Sequence, residues 1–329
     1  MFVLFIGETK LSAVPGLSAA GASVKALPYT APADADMLFY DRPRVIDVTP
    51  ADPQGHPTPA IVTRAAVLEA NLPVKAVRAG TSVAPAAPFY DIGCAPGGDP
   101  RSGAAVPELR KISDKAMELA ENLGSDNKLL VLGESVPGGT TTALLLLRSL
   151  GFDGSVSSAA PYNPLSLKER IWNGVCARLG IGAGGLKGQG LAAAAEVGDP
   201  MQIAVTSFVN SLPGDVEVVL AGGTQMMAVA ALIRDCGNDR PLLVATTKYV
   251  AQDKSASFER YAEKIGVEFY AAPLDFSRSK FQGLADYEKG FVKEGVGMGG
   301  AVWYACRKGV SVERVIARTE ELYERNCLN

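Results

Sequence analysis

Apolar residues along this chain fall into short runs of strand length, separated by longer stretches in which they recur every three or four positions. The short runs are 2–6, 74–77, 129–132, 216–220, 242–245 and 267–270, most of them bounded by the Gly, Pro, Asn or Asp that end strands. A further run, 37–40, reads as a second strand in chain order. Helical period appears at 61–72, closed by Pro73, and at 140–150, 164–179, 201–212, 257–265, 300–308 and 311–325. One more helix is opened by Pro107: Leu109, Ile112, Ala116, Leu119 and Leu123 share a face, and Gly124 caps the end. Strands alternating with helices predict an α/β fold with a doubly wound, mostly parallel sheet covered on both faces. The opening MFVLFIGETK lacks a basic region and meets Glu8 and Lys10 at once, so it reads as a first strand and not as a signal peptide.

In such sheets, ligands bind beyond the carboxyl ends of the strands. Two strand–glycine–helix units supply those ends. In KLLVLGESVPGGTTTALLLLRSL the strand 129–132 runs into a turn with Glu134, Pro137, Gly138 and Gly139, and Thr140, Thr141 and Thr142 open a helix. In VEVVLAGGTQMMAVAALI the strand runs through Gly222, Gly223 and Thr224 into a second helix. Helix starts expose unpaired N–H groups and a positive dipole end, which together hold an anion. The spacing GESVPGGT matches a phosphate loop, but Gly139 stands where a Walker-type loop needs lysine, so a monophosphate fits better than a nucleoside triphosphate.

Late in the chain, GVGMGG has G-x-G-x-x-G spacing without a strand before it or a βαβ unit after it, so a dinucleotide fold built there lacks its second half. Glu294 immediately precedes these glycines, and backbone at Gly295 and Gly297 lets a flat ligand approach a carboxylate closely. Glu134 and Glu294 thus both border glycine turns at expected strand ends. Two carboxylates suit a reaction that removes a proton and stabilises a cation, such as glycosyl transfer through an oxocarbenium-like state. A long Gly/Pro/Ala-rich loop, 79–107, carries Thr81, Ser82, Asp91, Asp99 and Arg101 among its turns and reads as a functional surface.

Composition narrows the classes. The 329 residues are 47% hydrophobic and 20% charged with a formal net charge of -3, so the chain can bury a large core and offers no basic stripe for nucleic acid. Its longest apolar runs fall short of the ~20 residues that span a bilayer. Five cysteines without a CxxC pair fit a reducing cytoplasm, and the single histidine, His56, sits in a Pro-rich segment expected to be a surface loop.

GESVPGGTTTALLLLRSLG resembles the Gly-Glu loop of the nicotinate-nucleotide:dimethylbenzimidazole phosphoribosyltransferases, the CobT family, and more closely its archaeal and cyanobacterial branch. ETKLSAVPGLSAAGA, APGGDPR, LAGGTQMMAV and DFSRSKFQGLADYEKGFVKEGVGMGGA carry the same likeness over nearly the whole chain. The resemblance implies a Rossmann-like sheet core at about 100–285 and a smaller part formed by about 1–30 with 286–329, all in one catalytic unit. It implies a cytoplasmic homodimer, without metal or cofactor, that moves phosphoribose from nicotinate mononucleotide to a benzimidazole or purine base in cobamide assembly. Glu294 matches the family's general base, Glu134 the acid of the Gly-Glu loop, and Gly138 to Thr142 the phosphate-side loop. The bacterial asparagine-containing loop is replaced here by VPGGTTT, and the glycine cluster after Glu294 is extended. With no match to the bacterial Arg-Lys helix, Lys187 in GIGAGGLKGQG is the expected phosphate lysine, and Thr81 and Ser82 the expected base-binding residues. Two other readings stay open: a P-loop-like or dinucleotide-dependent enzyme, marked by tight ATP or NAD binding, and a non-catalytic nucleotide-binding protein.

Overall fold

The computed structural model describes residues 1–327 apart from 19, 22 and 41. Seven strands form one parallel sheet: β1 (Phe2–Ile6), β2 (Val74–Arg78), β3 (Phe89–Asp91), β4 (Leu129–Ser135), β5 (Glu217–Ala221), β6 (Leu242–Thr247) and β7 (Glu268–Ala272), in the order β3-β2-β1-β4-β5-β6-β7. This is the doubly wound dinucleotide-fold order with one strand added, and it reverses between β1 and β4. The sheet is wholly parallel, so every strand must be reached by a crossover, and the helices that cross cover both faces.

In chain order the helices are α1 (Leu27–Phe39), α2 (Ala60–Glu69), α3 (Leu109–Gly124), α4 (Gly139–Ser149), α5 (Leu165–Leu179), α6 (Leu191–Val197) and α7 (Pro200–Ser211). They continue with α8 (Thr224–Asp235), the single turn α9 (Lys248–Ala251), α10 (Phe258–Ile265), the single turn α11 (Gln282–Ala285), α12 (Met298–Arg307) and α13 (Val312–Cys327). Among the described residues, no helix is long and apolar enough to cross a membrane.

Strand residues alternate between two cores, as the period of two requires. Val3, Phe5, Leu130, Leu132, Val218 and Leu220 face α3, α4, α6, α7, α8 and α10, whereas Phe2, Leu4, Ile6, Val131, Val219 and Ala221 face α1, α2, α12 and α13. The glycine cluster is explained by this second layer. A Cβ on Gly300 would stand 2.2 Å from the Ala221 Cβ, and one on Gly299 2.2 Å from the Thr246 carbonyl. Only glycine lets α12 lie this close to the sheet.

Several expectations change. The run 37–40 is the end of α1, because its apolar side chains fit a helical face over the sheet. β3 falls in the 79–107 segment read as loop, and α6 in residues to which the sequence reading gave no element. β1, in the opening segment of the expected terminal part, pairs with both β2 and β4. Residues 19, 22, 328 and 329 of that part lie outside the described residues.

Candidate active site

A cleft opens over the carboxyl ends of β4 and β5, with about 1020 Å³ of empty space counting its mouth. Its walls come from α1, the 50–59 loop, the 134–140 turn, the 157–159 loop, the start of α8 and the 292–296 segment. β4 runs on to Ser135, so Glu134 belongs to a strand end and is fixed by the ladder to β1, where it registers with Phe5.

Glu134 and Glu294 both line this cleft. The Glu134 side chain is 1% exposed and its Oε2 has no hydrogen-bond partner. Burial first, then the charge of Glu294, drives its carboxyl well above the usual range. Glu294 accepts from the backbone N–H groups of Gly295 and Gly299 at 3.2 Å each, and from the Thr246 hydroxyl at 3.3 Å. Burial pushes its carboxyl up to about 7, against the opposing pull of those bonds. Such a value suits a base working near neutrality.

The segment carrying Glu294 is strained. Val292 and Val296 adopt φ of 46° and 56°, a left-handed region that β-branched residues avoid. Each such residue costs roughly 1–3 kcal/mol and persists only where its surroundings enforce it. Here the Val292 N–H donates to the Ala159 carbonyl and the Val296 N–H to the Glu134 carbonyl, both at 2.8 Å. The second bond ties the two acids' backbones together.

One wall of the cleft carries a buried ion pair. Lys293 is buried and pairs with Asp253 at 2.7 Å, and the Ser157 hydroxyl donates to the same carboxylate oxygen at 2.7 Å. Behind them Lys168, fully buried on α5, donates to the Ser157 carbonyl and the Asn163 side chain, and burial and then Lys293 lower it to about 7. The Ser157 N–H meets the Thr224 hydroxyl at the start of α8, where Gly223 also lines the cleft. Hydroxyls, a helix start and Lys293 make this wall fit an anion.

The cleft is also lined by Asp34, Thr58 and His56. His56 is 6% exposed, between Asp52 at 2.7 Å and Asp286 at 3.2 Å, and stacked on Phe291. The expected surface histidine is therefore a buried strut joining the 50–59 loop to the segment before Glu294.

Glu134, Gly138, Gly139, Thr140, Gly223, Thr224, Glu294 and Gly295 come together in the cleft. The other expected residues do not line it. Thr141 and Thr142 are buried on the far side of α4, as the ~100° rotation per helical residue requires, and Thr142 donates to Asp199. Gly222 lies beneath Glu134, and Gly297 packs against Gly133 and Phe2. Lys187 is exposed near Gly151, past the end of α4 opposite its glycine turn. Thr81 binds Arg78 and Ser82 binds Glu8, so both serve the loop after β2. The sequence reading missed Asp34, Ser157, Lys168 and Lys293. Lys293 was within reach, adjoining Glu294; Asp34 sits in APADADM, which has no motif. Among the described residues, no three His, Cys, Asp or Glu side chains gather as metal ligands would.

No family model matches the chain. The UPF0284 protein of Pyrococcus furiosus is 50% identical over 327 residues, covering 99% of this chain and 98% of that one. Among solved structures, the fold is similar to nicotinate-nucleotide-dimethylbenzimidazole phosphoribosyltransferase from Thermus thermophilus (TM-score 0.60) and to CobT from the same organism (TM-score 0.62). Each is 16% identical, and the match covers 99% of this chain and 84% of theirs. At that identity the likeness is one of fold, and it agrees with the family resemblance read from the sequence motifs.

Proposed function

We propose that this chain, which belongs to the UPF0284 family, moves the phosphoribosyl group of nicotinate mononucleotide onto a ring nitrogen of a benzimidazole or purine, releasing nicotinate and an α-ribotide for cobamide assembly. The observation that carries the reading is the meeting of Glu134 and Glu294 in one cleft that also holds the start of α8. Its resemblance in fold to the Thermus thermophilus enzymes agrees with it.

The donor's phosphate lies at the Lys293 wall, against Ser157, Ser158 and the start of α8, with the turn at Gly138 and Gly139 flanking the ribose. The bond from C1′ to the pyridinium nitrogen breaks and its electron pair leaves with nicotinate. A lone pair on the acceptor nitrogen forms the new bond to C1′ from the opposite face. The acceptor's other ring N–H then loses its proton to Glu294, whose Oε1 and Oε2 are oriented by Gly295, Gly299 and Thr246. Glu134, with one unpartnered oxygen, bonds a ribose hydroxyl. A homodimer completes the proposal and is tested by light scattering.

The test is nicotinate release from nicotinate mononucleotide with and without 5,6-dimethylbenzimidazole or adenine, followed by chromatography. Release that depends on the base supports transfer. Nucleotide binding without any base-dependent product contradicts it.

A further inference from the structure

Asp34 and Asp36 lie two residues apart on α1, both buried, and they use their carboxylates differently. Asp36 accepts backbone N–H groups from Arg44, Val45 and Ala87 at 2.7–2.8 Å, so its role is to fasten loops. Asp34 lines the cleft and, among the described residues, accepts two hydroxyls: Thr58 at 2.6 Å on Oδ1 and Ser135 at 2.7 Å on Oδ2. Among the described residues, no cation pairs with it. A carboxylate offers about four lone-pair sites, so each Asp34 oxygen keeps one acceptor position unfilled. A carboxyl buried this way is costly unless something bonds to it.

Ser135, which donates to Asp34, directly follows Glu134 on β4, and Asp34 and Glu134 line the same cleft. Leu17, Pro57, Pro59 and Val296 supply apolar walls there, suited to a flat ring. A heterobase with its imidazole nitrogens between C1′ and Glu294 leaves its six-membered ring to meet these walls.

Resting on the transfer reaction above, we propose that Asp34 receives the amino-bearing edge of the acceptor's six-membered ring, so that the cleft prefers an aminopurine to a benzimidazole. A benzimidazole presents only C–H or methyl groups there and leaves both carboxyl oxygens unmatched. Thr58 and Ser135 are positioning residues that aim the carboxyl. Two aminopurine edges fit it in different protonation states. An ionised Asp34 pairs with the adjacent N–H and amino group of guanine, and a protonated one with the ring nitrogen and amino group of adenine. Burial raises Asp34 to about 7 against the pull of its two hydroxyl partners, so both states exist near neutrality.

The test is calorimetric binding of adenine, guanine, unsubstituted purine and benzimidazole to the full chain and to Asp34→Asn, between pH 6 and 8, with acceptor kcat/KM measured alongside. An aminopurine should bind roughly 10- to 100-fold tighter than purine or benzimidazole, the worth of a hydrogen bond to a charged group. Asn cannot accept from both donors of guanine and should remove a guanine preference. It offers the same acceptor and donor as a protonated carboxyl, so it should keep an adenine preference while removing its pH dependence. Benzimidazole binding should change less than about threefold in either case. Thr58→Val, which leaves the carboxyl in place but unaimed, should weaken the preference partly. If adenine is the ligand, affinity falls as pH rises through 7; if guanine, it rises. Equal binding of all four bases, a guanine preference that survives in Asp34→Asn, or an adenine preference whose pH dependence survives in it, overturns the proposal. Selective binding without turnover would instead overturn the transfer reaction and leave the assignment of Asp34 standing.

Discussion

Replacing Glu294 with Gln removes charge and basicity while keeping shape. Oε1 of the new side chain can still accept from Gly295 and Gly299, and its amide can donate to the Thr246 hydroxyl, which is free to accept. The strained backbone held by Val292 and Val296 is untouched. What is lost is proton removal, worth ~10²–10⁴ in rate, or ~3–5 kcal/mol of barrier. We therefore expect kcat to fall by that factor in Glu294→Gln, with KM for nicotinate mononucleotide changed less than about threefold. The pH profile is the sharper readout. With the carboxyl at about 7, only about one-tenth is ionised at pH 6, so wild-type turnover should fall about tenfold per pH unit below 7. The Gln variant should be flat over that range. The assay is nicotinate release by chromatography between pH 5 and 8. A variant within about threefold of wild type, or a wild-type profile flat across this range, would refute the assignment.

Three further outcomes are expected. Lys293→Met combined with Asp253→Asn, which removes both members of a buried pair and so avoids a stranded charge, should raise KM for the nucleotide at least about tenfold, whereas Lys187→Ala should leave steady-state kinetics unchanged. Gly300→Ala places a methyl 2.2 Å from the Ala221 Cβ and should cost ~1–3 kcal/mol or more in urea unfolding; unchanged stability would mean α12 sits further from the sheet. Asp34, raised from 3.8 to about 7, contributes stability that is fully present below about 3.8 and lost as pH climbs through 7, at most on the order of 4 kcal/mol. Unfolding free energy should therefore decline between pH 4 and 7 and decline less in Asp34→Asn. Above 7, Lys168, lowered from 10.5 to about 7, acts with the opposite sign, because there the unfolded chain binds the extra proton.

The strands and most long helices were legible because buried parallel strands are continuous apolar runs and their crossovers carry a 3.6-residue period. The same logic failed at 37–40, where an apolar run too short to show its period belonged to α1, and at β3, whose three residues carry no period at all. The glycine turns pointed to the cleft, since Gly138, Gly223 and Gly295 all line it. They could not distinguish glycines that face a ligand from those that face the sheet, as Gly297, Gly299 and Gly300 do. Lys187 was attractive for its glycine-rich setting, yet the buried cations are Lys168 on an ordinary amphipathic helix and Lys293 in a charged run. Asp34 was invisible because its role depends on Thr58 and Ser135, 24 and 101 residues away.

The central claim is transfer at C1′ with inversion, and proton NMR of the reaction products tests it most directly. Nicotinate mononucleotide and an acceptor base should give one nicotinate per ribotide, with the anomeric proton of the ribotide in the α configuration. Nicotinate released with free ribose phosphate, or with no dependence on the base, would contradict the account.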